Sequence, residues 1–165
     1  MNTSSKTKSA FVLVTSSEEE TMELGRRIGG LLGAGDVVAL LGSLGAGKTT
    51  LVKGLAVGLG IGDVREVRSA SFLLIAEYKA RVPIYHFDAY RLESAEEMYG
   101  LGCEEIFWGN GVSIIEWADR VEKCLPENYL RISMSIEGPA SRKVVISIQG
   151  NGYGRVISGL KCGGS

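Results

Sequence analysis

The sequence lacks the features that mark several classes of protein. It has only 3 prolines and no Gly-X-Y period, which excludes collagen and argues against a Pro- and Gly-rich disordered chain. The longest aliphatic run, Val37–Leu41, is far shorter than the roughly 20 residues of a membrane-spanning helix, and Phe11–Val14 is too short for a signal-peptide core. The 3 cysteines lie far apart in the sequence, so we expect reduced thiols in a cytoplasmic protein rather than a disulfide framework or a zinc site.

An excess of positive charge is also absent. The chain has 18 basic and 19 acidic residues, a formal net charge of −1, and therefore no global field that would hold nucleic acid or an anionic membrane. A patch of Lys53, Arg65 and Arg68 is the one local candidate for contact with nucleic acid. The 165 residues predict one domain over residues 10–150, between a flexible N-terminus of residues 1–9 and a Gly-rich tail of residues 151–165 that we expect to be disordered.

Glycine, by contrast, is abundant. The 23 glycines are about twice the average usage of roughly 7%. Twelve lie between Gly25 and Gly62, and six lie from Gly150 onward. We expect three of the first group to form a phosphate-binding loop, and others to end helices, where a positive φ is needed.

Hydrophobic periodicity predicts an α/β fold with a mixed sheet. Capping-box spacing from Ser16 to Glu19 indicates the start of a helix. The continuous apolar run Val37–Leu41 is typical of a strand buried on both faces, as in a parallel sheet. Strands joined by short connections predict antiparallel pairs added to that sheet, over residues 72–78 with 82–88 and residues 130–136 with 144–148.

The segment Gly42-Ser43-Leu44-Gly45-Ala46-Gly47-Lys48-Thr49 matches the P-loop pattern G-x-x-x-x-G-K-[ST]. Its glycines let the backbone curl so that successive N–H groups point at phosphate oxygens, and the following helix directs its N-terminus at the same anion. In such a loop Lys48 reaches the β- and γ-phosphates and the Thr49 hydroxyl takes a position on Mg²⁺. An apolar strand directly before the pattern and an amphipathic helix after it support this prediction.

A P-loop metal site also needs a carboxylate at the end of a neighbouring strand. Asp88 and Glu116 each end an apolar segment, and either could instead cap the element that follows. Period 2 puts the lone histidine, His86, on the same strand face as Asp88, where we expect a hydrogen-bonded core residue rather than a catalytic base. Trp117 is expected to pack, with stacking on an adenine base as the alternative, and Trp108 to be structural or interfacial.

Four ordered segments resemble the TsaE (YjeE) family, bacterial P-loop ATPases of tRNA threonylcarbamoyladenosine (t⁶A) biosynthesis: Leu44–Thr50, Ser69–Phe72, His86–Leu92 and Ile115–Trp117. The resemblance runs from about Thr21 to Ile148. It implies a P-loop NTPase-like three-layer fold whose central sheet is parallel around the P-loop strand and antiparallel elsewhere. It further implies a cytoplasmic, Mg²⁺-dependent ATPase, slow alone, that acts with TsaB and TsaD on adenosine 37 of tRNAs reading ANN codons and meets tRNA only through those partners.

The resemblance also implies roles for single residues. Lys48, Asp88 and Glu116 are the expected catalytic residues, and Thr49 and Glu116 the expected Mg²⁺ ligands, with Asp88 as a further candidate. Ser69 and Ser71 belong to a switch-like segment. The expected nucleotide-binding residues are Thr21, Gly42, Ser43, Leu44, Gly45, Ala46, Gly47, Lys48, Thr49, Thr50 and Trp117.

Three residues depart from the family's pattern. They bear on the expected rate of the reaction and on how well ordered the loops are, not on the reaction class. Ser43 replaces the usual Asp, and Ala70 and Ala118 replace prolines.

Two other functions stay open, a small-molecule kinase and a nucleotide-gated interaction module in which hydrolysis is incidental. A kinase would usually carry an Arg-rich lid, which residues 60–130 do not show, and Arg91 and Arg120 are the candidates for an arginine finger.

Overall fold

One mixed sheet organises the protein in the computed structural model, which describes residues 8–68 and 74–163. Its strands are β1 (Lys8–Thr15), β2 (Val37–Gly42), β3 (Ile75–Tyr78), β4 (Ile84–Asp88), β5 (Val112–Glu116), β6 (Tyr129–Ile136) and β7 (Arg142–Gln149). They lie in the order β1-β7-β6-β2-β5-β4-β3. The central strands β6, β2, β5 and β4 are parallel, whereas β3 joins β4, β7 joins β6 and β1 joins β7 in antiparallel fashion. The predicted mixed sheet and both predicted antiparallel pairs are confirmed, and residues 72 and 73 of the first predicted strand lie outside the described residues.

Helices cover both faces of the sheet, which gives the three predicted layers. The helices are α1 (Glu18–Gly29), α2 (Lys48–Gly58), α3 (Ala95–Gly100), α4 (Cys103–Phe107) and α5 (Gly154–Cys162), and the 3₁₀ segments are Val64–Glu66 and Ala118–Cys124. The long helices α1 and α2 pack with α5 on one face of the sheet, and the short helices α3 and α4 pack on the other face with the second 3₁₀ segment. Strand β2 is buried between these two layers, as its continuous apolar run requires.

Helix α1 begins one residue later than its capping box predicts. The Ser17 hydroxyl, not that of Ser16, accepts a hydrogen bond of 3.1 Å from the Glu20 backbone N–H. Consecutive serines followed by three consecutive glutamates satisfy the S-x-x-E spacing in two registers, so the sequence cannot separate them.

Four glycines of α1 and α2 lie where the two helices meet and have no positive φ, which corrects the expectation that glycines outside the loop mainly supply a positive φ at helix ends. Gly25 and Gly29 of α1 face Gly54 and Gly58 of α2. A Cβ atom on Gly54 would lie 2.2 Å from the Met22 carbonyl oxygen, and one on Gly29 would lie 2.2 Å from that of Leu55. The two helices therefore pack backbone against backbone.

The expected disordered tail is wrong for residues 154–162, which form helix α5. Val156, Ile157 and Leu160 lie on one face of that helix and are buried against α1 and the sheet. Tyr153, just before it, accepts a hydrogen bond of 2.8 Å from the Val37 backbone N–H. The apolar stripe is only three residues long and lies among glycines, which is why composition alone suggested a loose segment.

The cysteines carry no disulfide in the described part of the chain. Cys103 and Cys124 are buried in the layer of α3 and α4, and Cys162 is exposed. Burial raises the pKa of the Cys103 thiol to about 11 and also raises that of Cys124, so both stay protonated and unreactive at neutral pH.

Among residues 8–68 and 74–163, no helix is long and apolar enough to cross a membrane.

Candidate functional site

A cavity of about 700 Å³ opens at the edge of the sheet where the parallel strands β2, β4 and β5 end. Ligands of open α/β sheets bind at this edge, outside the carboxyl ends of the strands. The loop between β2 and α2 forms the floor of the cavity, and the residues that follow β4 and β5 form one wall. The start of α1 and the turn between β6 and β7 complete the lining.

The P-loop backbone has the conformation that its glycines predict. Gly45 and Gly47 have φ angles of 81° and 96°, which residues with a Cβ rarely adopt. Gly47 is the N-cap of α2 and supplies no capping side chain, so the first N–H groups of the helix have no side-chain partner from the cap. Such a helix start, directed at the cavity, is suited to binding an anion. Leu44, Gly45, Ala46, Gly47, Lys48, Thr49 and Thr50 all line the cavity.

Lys48 lies at the centre of the loop and is 6% exposed. Its ammonium donates hydrogen bonds to the backbone carbonyls of Gly42 and Ser43, the latter at 3.1 Å. The ring of Trp117 covers it, with Nζ 3.7 Å from the ring centroid. Burial lowers the pKa of Lys48, and the nearby carboxylates, Glu116 foremost, act in the opposite direction. A partly desolvated cation in this position interacts strongly with any phosphate that replaces its carbonyl partners.

Two buried carboxylates stand side by side at the wall of the cavity. Asp88 and Glu116 are paired in register at the ends of β4 and β5 and are 6% and 3% exposed. Glu116 Oε1 lies 3.5 Å from the Thr49 hydroxyl, and Asp88 Oδ1 accepts a hydrogen bond of 2.9 Å from the Tyr90 backbone N–H. The sequence left open which acid is nearer a metal, and the structure brings Glu116 to Thr49.

These oxygens are the donors that Mg²⁺ prefers. Within residues 8–68 and 74–163, no three His, Cys, Asp or Glu side chains group as a metal cage. Mg²⁺ in phosphate-transferring sites is usually held by one or two carboxylates together with substrate phosphates and water, so the Thr49–Glu116 pair fits that ion.

His86 is completely buried behind Glu116, as expected for a hydrogen-bonded core residue. Its Nε2 lies 2.6 Å from Glu116 Oε2, and its Nδ1 lies 3.2 Å from the Tyr78 hydroxyl. The sequence placed His86 on the face of Asp88 but gave no reason to connect it with Glu116, because that contact depends on the pairing of β4 with β5.

Thr21 also lines the cavity, from the first turn of α1. Its hydroxyl lies 2.7 Å from that of Thr15 and donates a 3.2 Å hydrogen bond to the Ser17 carbonyl. The switch-like residues Ser69 and Ser71 lie outside the described residues.

Arg142 is a cavity residue that sequence reasoning missed. It begins β7, lines the cavity beside Pro139 and Ala140, and donates a hydrogen bond of 3.2 Å to the Gly45 carbonyl in the P-loop. No motif contains it, and only the sheet order, with β6 beside β2, brings the β6–β7 turn to the loop.

Of the two arginine-finger candidates, Arg91 lines the cavity, and the guanidinium of Arg120 lies 5.2 Å from the centroid of the Tyr90 ring.

Trp117 lies with its ring against the ammonium of the P-loop lysine, Lys48. Its backbone has a φ of 59°, unusual for a residue with a side chain, and this turns the chain out of β5. The neighbouring Tyr90 ring is 4.9 Å away between centroids. By contrast Trp108 is 88% exposed and is not packed in the core, which favours the interfacial over the structural expectation.

Nucleotide binding is expected to change the fluorescence of Trp117. Phosphates that attract Lys48 draw its ammonium away from the Trp117 ring, which alters the polarity around the indole. The emission of a Trp108→Phe variant, whose single tryptophan is Trp117, should therefore change when ATP is added. A Trp117→Phe variant, which retains only Trp108, is the matched control and should not respond. A response from the control alone would contradict the placement of Trp117.

Comparison with known proteins agrees with the geometry. Residues 15–144 match the model of the family described as "Threonylcarbamoyl adenosine biosynthesis protein TsaE". Two relatives are named tRNA threonylcarbamoyladenosine biosynthesis protein TsaE. The protein from Treponema pallidum is 42% identical over 134 residues, 81% of this chain and 98% of the relative. The one from Bacillus subtilis is 42% identical over 140 residues, 84% of this chain and 86% of the relative.

A solved structure is similar over almost the whole chain. The crystal structure of Bacillus subtilis YdiB superposes with a TM-score of 0.80 at 35% sequence identity. The match covers 93% of this chain and 95% of that one. The three-layer P-loop fold is thus shared with a protein related in sequence.

Proposed function

We propose that this chain, which belongs to the TsaE family, is a Mg²⁺-dependent ATPase that supports threonylcarbamoylation of adenosine 37 in tRNAs reading ANN codons. The observation that carries the proposal is the meeting of a P-loop with a buried carboxylate, in which Thr49 Oγ1 faces Glu116 Oε1 at 3.5 Å. That pair and the adjacent Lys48 supply the groups that P-loop enzymes use on the γ-phosphate.

The reaction proposed is transfer of the γ-phosphoryl group of ATP to water. Lys48 and the N–H groups of the loop bind the β- and γ-phosphates and stabilise the charge that develops on them. Thr49 and Glu116 would hold Mg²⁺, which when bound neutralises part of that charge. Asp88 lies beside Glu116, where it can orient the attacking water or contribute to holding the cation. Thr21, Trp117 and residues 44–50 line the space left for the nucleotide, whereas Gly42 and Ser43 do not line it.

The biological setting is proposed from the family. Relatives are named for t⁶A biosynthesis, and we assign to this chain the cytoplasmic, accessory role with TsaB and TsaD, in which ATP hydrolysis supports repeated rounds of modification. Ser69 and Ser71 are proposed to belong to the segment that responds to nucleotide. The net charge of −1 supports contact with tRNA through the partners rather than by this chain alone.

The proposal is tested by t⁶A formation over many rounds in a mixture of this chain, TsaB, TsaD and tRNA with the other substrates of the pathway. With ATP available for hydrolysis by this chain, t⁶A should accumulate beyond one equivalent per complex. In the comparison, the other substrates are prepared beforehand and a non-hydrolysable ATP analogue replaces ATP. Full multiple-round yield with the analogue would contradict the need for hydrolysis, and phosphate found on a metabolite would indicate a kinase instead.

A further inference from the structure

A chain of hydrogen-bonding side chains runs through the sheet edge behind the cavity. It joins Tyr78 on β3, His86 on β4, Glu116 on β5 and Thr49 on α2, with contacts of 3.2, 2.6 and 3.5 Å in that order. Tyr78, His86 and Glu116 are 6%, 0% and 3% exposed. Water is therefore largely kept from the first two contacts, and buried polar contacts of this kind hold their members in one arrangement.

The contact with Glu116 fixes where one hydrogen of His86 lies. A carboxylate only accepts, so the close contact with Glu116 places a hydrogen on His86 Nε2. The other ring nitrogen, Nδ1, lies 3.2 Å from the Tyr78 hydroxyl, which also lies 3.4 Å from the Arg68 backbone carbonyl. The orientation of the imidazole is thus determined from both sides.

The contact with His86 uses one oxygen of Glu116 and leaves the other directed at the P-loop. Oε2 accepts from the ring, while Oε1 faces the Thr49 hydroxyl. Without His86 the carboxylate could rotate about its own side-chain bonds, and its buried Oε2 would have lost a donor. His86 therefore determines which way the acid points.

We propose that His86 is a positioning residue that orients Glu116 for divalent-cation binding and is itself held by Tyr78. The inference rests on the proposed ATPase function, because it concerns the cation that accompanies the nucleotide. Groups that hold a metal ligand in place typically affect metal affinity by about 10- to 100-fold. His86 contacts neither the nucleotide nor the water in this scheme, and its effect passes through Glu116.

The test compares cation binding with nucleotide binding in the full-length chain. Mn²⁺ replaces Mg²⁺ as the probe because it takes the same oxygen ligands and its free concentration is measured by electron paramagnetic resonance. His86→Phe should weaken Mn²⁺ binding to the complex with a non-hydrolysable ATP analogue by about 10- to 100-fold. His86→Gln, whose amide can donate to Glu116, should recover most of that loss. Affinity for the analogue in EDTA should stay within about twofold of the parent in both variants, since P-loop contacts to phosphate are unchanged.

Tyr78→Phe is the milder variant and decides the matter should His86→Phe fail to fold. It removes only the hydroxyl, which contacts Nδ1 and the Arg68 carbonyl, and we expect it to weaken Mn²⁺ binding by about threefold, the scale of one buried hydrogen bond. Parental Mn²⁺ affinity in a folded His86→Phe protein, or failing that in Tyr78→Phe, would overturn the inference. Equal losses of Mn²⁺ and of cation-free nucleotide binding would also overturn it, because they would show general damage to the site. A parent chain that bound no Mn²⁺ with the nucleotide would instead overturn the proposed function.

Discussion

Replacing Lys48 by methionine is expected to reduce ATP hydrolysis by at least roughly 100-fold, the scale seen when one stabilising donor is removed from a reacting anion. The ammonium is buried among the Gly42 and Ser43 carbonyls and the Trp117 ring, so no water can substitute for it without rearrangement. Binding of a fluorescent ATP analogue should weaken as well, because the phosphates lose their closest cation. Methionine retains the length and much of the apolar contact of the lysine stem beneath Trp117.

Lys53→Met is the matched control for this variant. Lys53 lies on the same helix, half-buried, and does not line the cavity. Its variant should bind and hydrolyse ATP like the parent, with the same thermal midpoint. Parental hydrolysis by Lys48→Met would show that the P-loop of this chain does not carry the reaction.

Replacing Gly54 by alanine is expected to destabilise the protein by about 3 kcal/mol, near the upper end of the usual cost of overpacking. The added methyl group would lie 2.2 Å from the Met22 carbonyl oxygen and 2.9 Å from Gly25 Cα, both backbone atoms that cannot rotate away. The helices α1 and α2 must therefore separate, which outweighs the roughly 1 kcal/mol that alanine gains over glycine in helix propensity. For a chain of this size the thermal midpoint should fall by roughly 6–12 °C.

Gly30→Ala, at the C-cap of α1, provides the comparison. A Cβ there would meet its nearest atom, the Arg26 carbonyl oxygen, at an ordinary 3.5 Å, and the backbone φ of −65° suits alanine. Its thermal midpoint, measured by circular dichroism, should stay close to that of the parent. A Gly54→Ala protein as stable as Gly30→Ala would contradict the backbone-to-backbone packing of α1 and α2.

Sequence patterns predicted the features that are local in the chain. The P-loop is a contiguous motif flanked by a buried strand and a helix, so its position at the edge of the sheet follows from β2 alone. The pairing of β6 with β7 followed from their alternating residues and the short turn between them. Asp88 and Glu116 were found because each ends a strand, and parallel strands end at one edge.

Features that depend on contacts between distant segments could not be predicted. Arg142 reaches the P-loop only because β6 is the neighbour of β2, and the contact of His86 with Glu116 requires β4 beside β5. The glycines at which α1 and α2 meet allow close packing, whereas Gly60 supplies a positive φ after a helix, yet a lone sequence shows both simply as glycine. What separates Gly54 from Gly60 is a facing backbone for one and a φ of 92° for the other.

Release of inorganic phosphate from ATP, measured with TsaB and TsaD present, tests the central claim most directly. The account predicts phosphate release by the parent chain in Mg²⁺, its loss in EDTA, and its loss in Mg²⁺ when Lys48→Met replaces the parent. The partners without this chain give the background. Phosphate release that survives both EDTA and Lys48→Met, or that equals the background, would contradict a Mg²⁺-dependent ATPase at this P-loop.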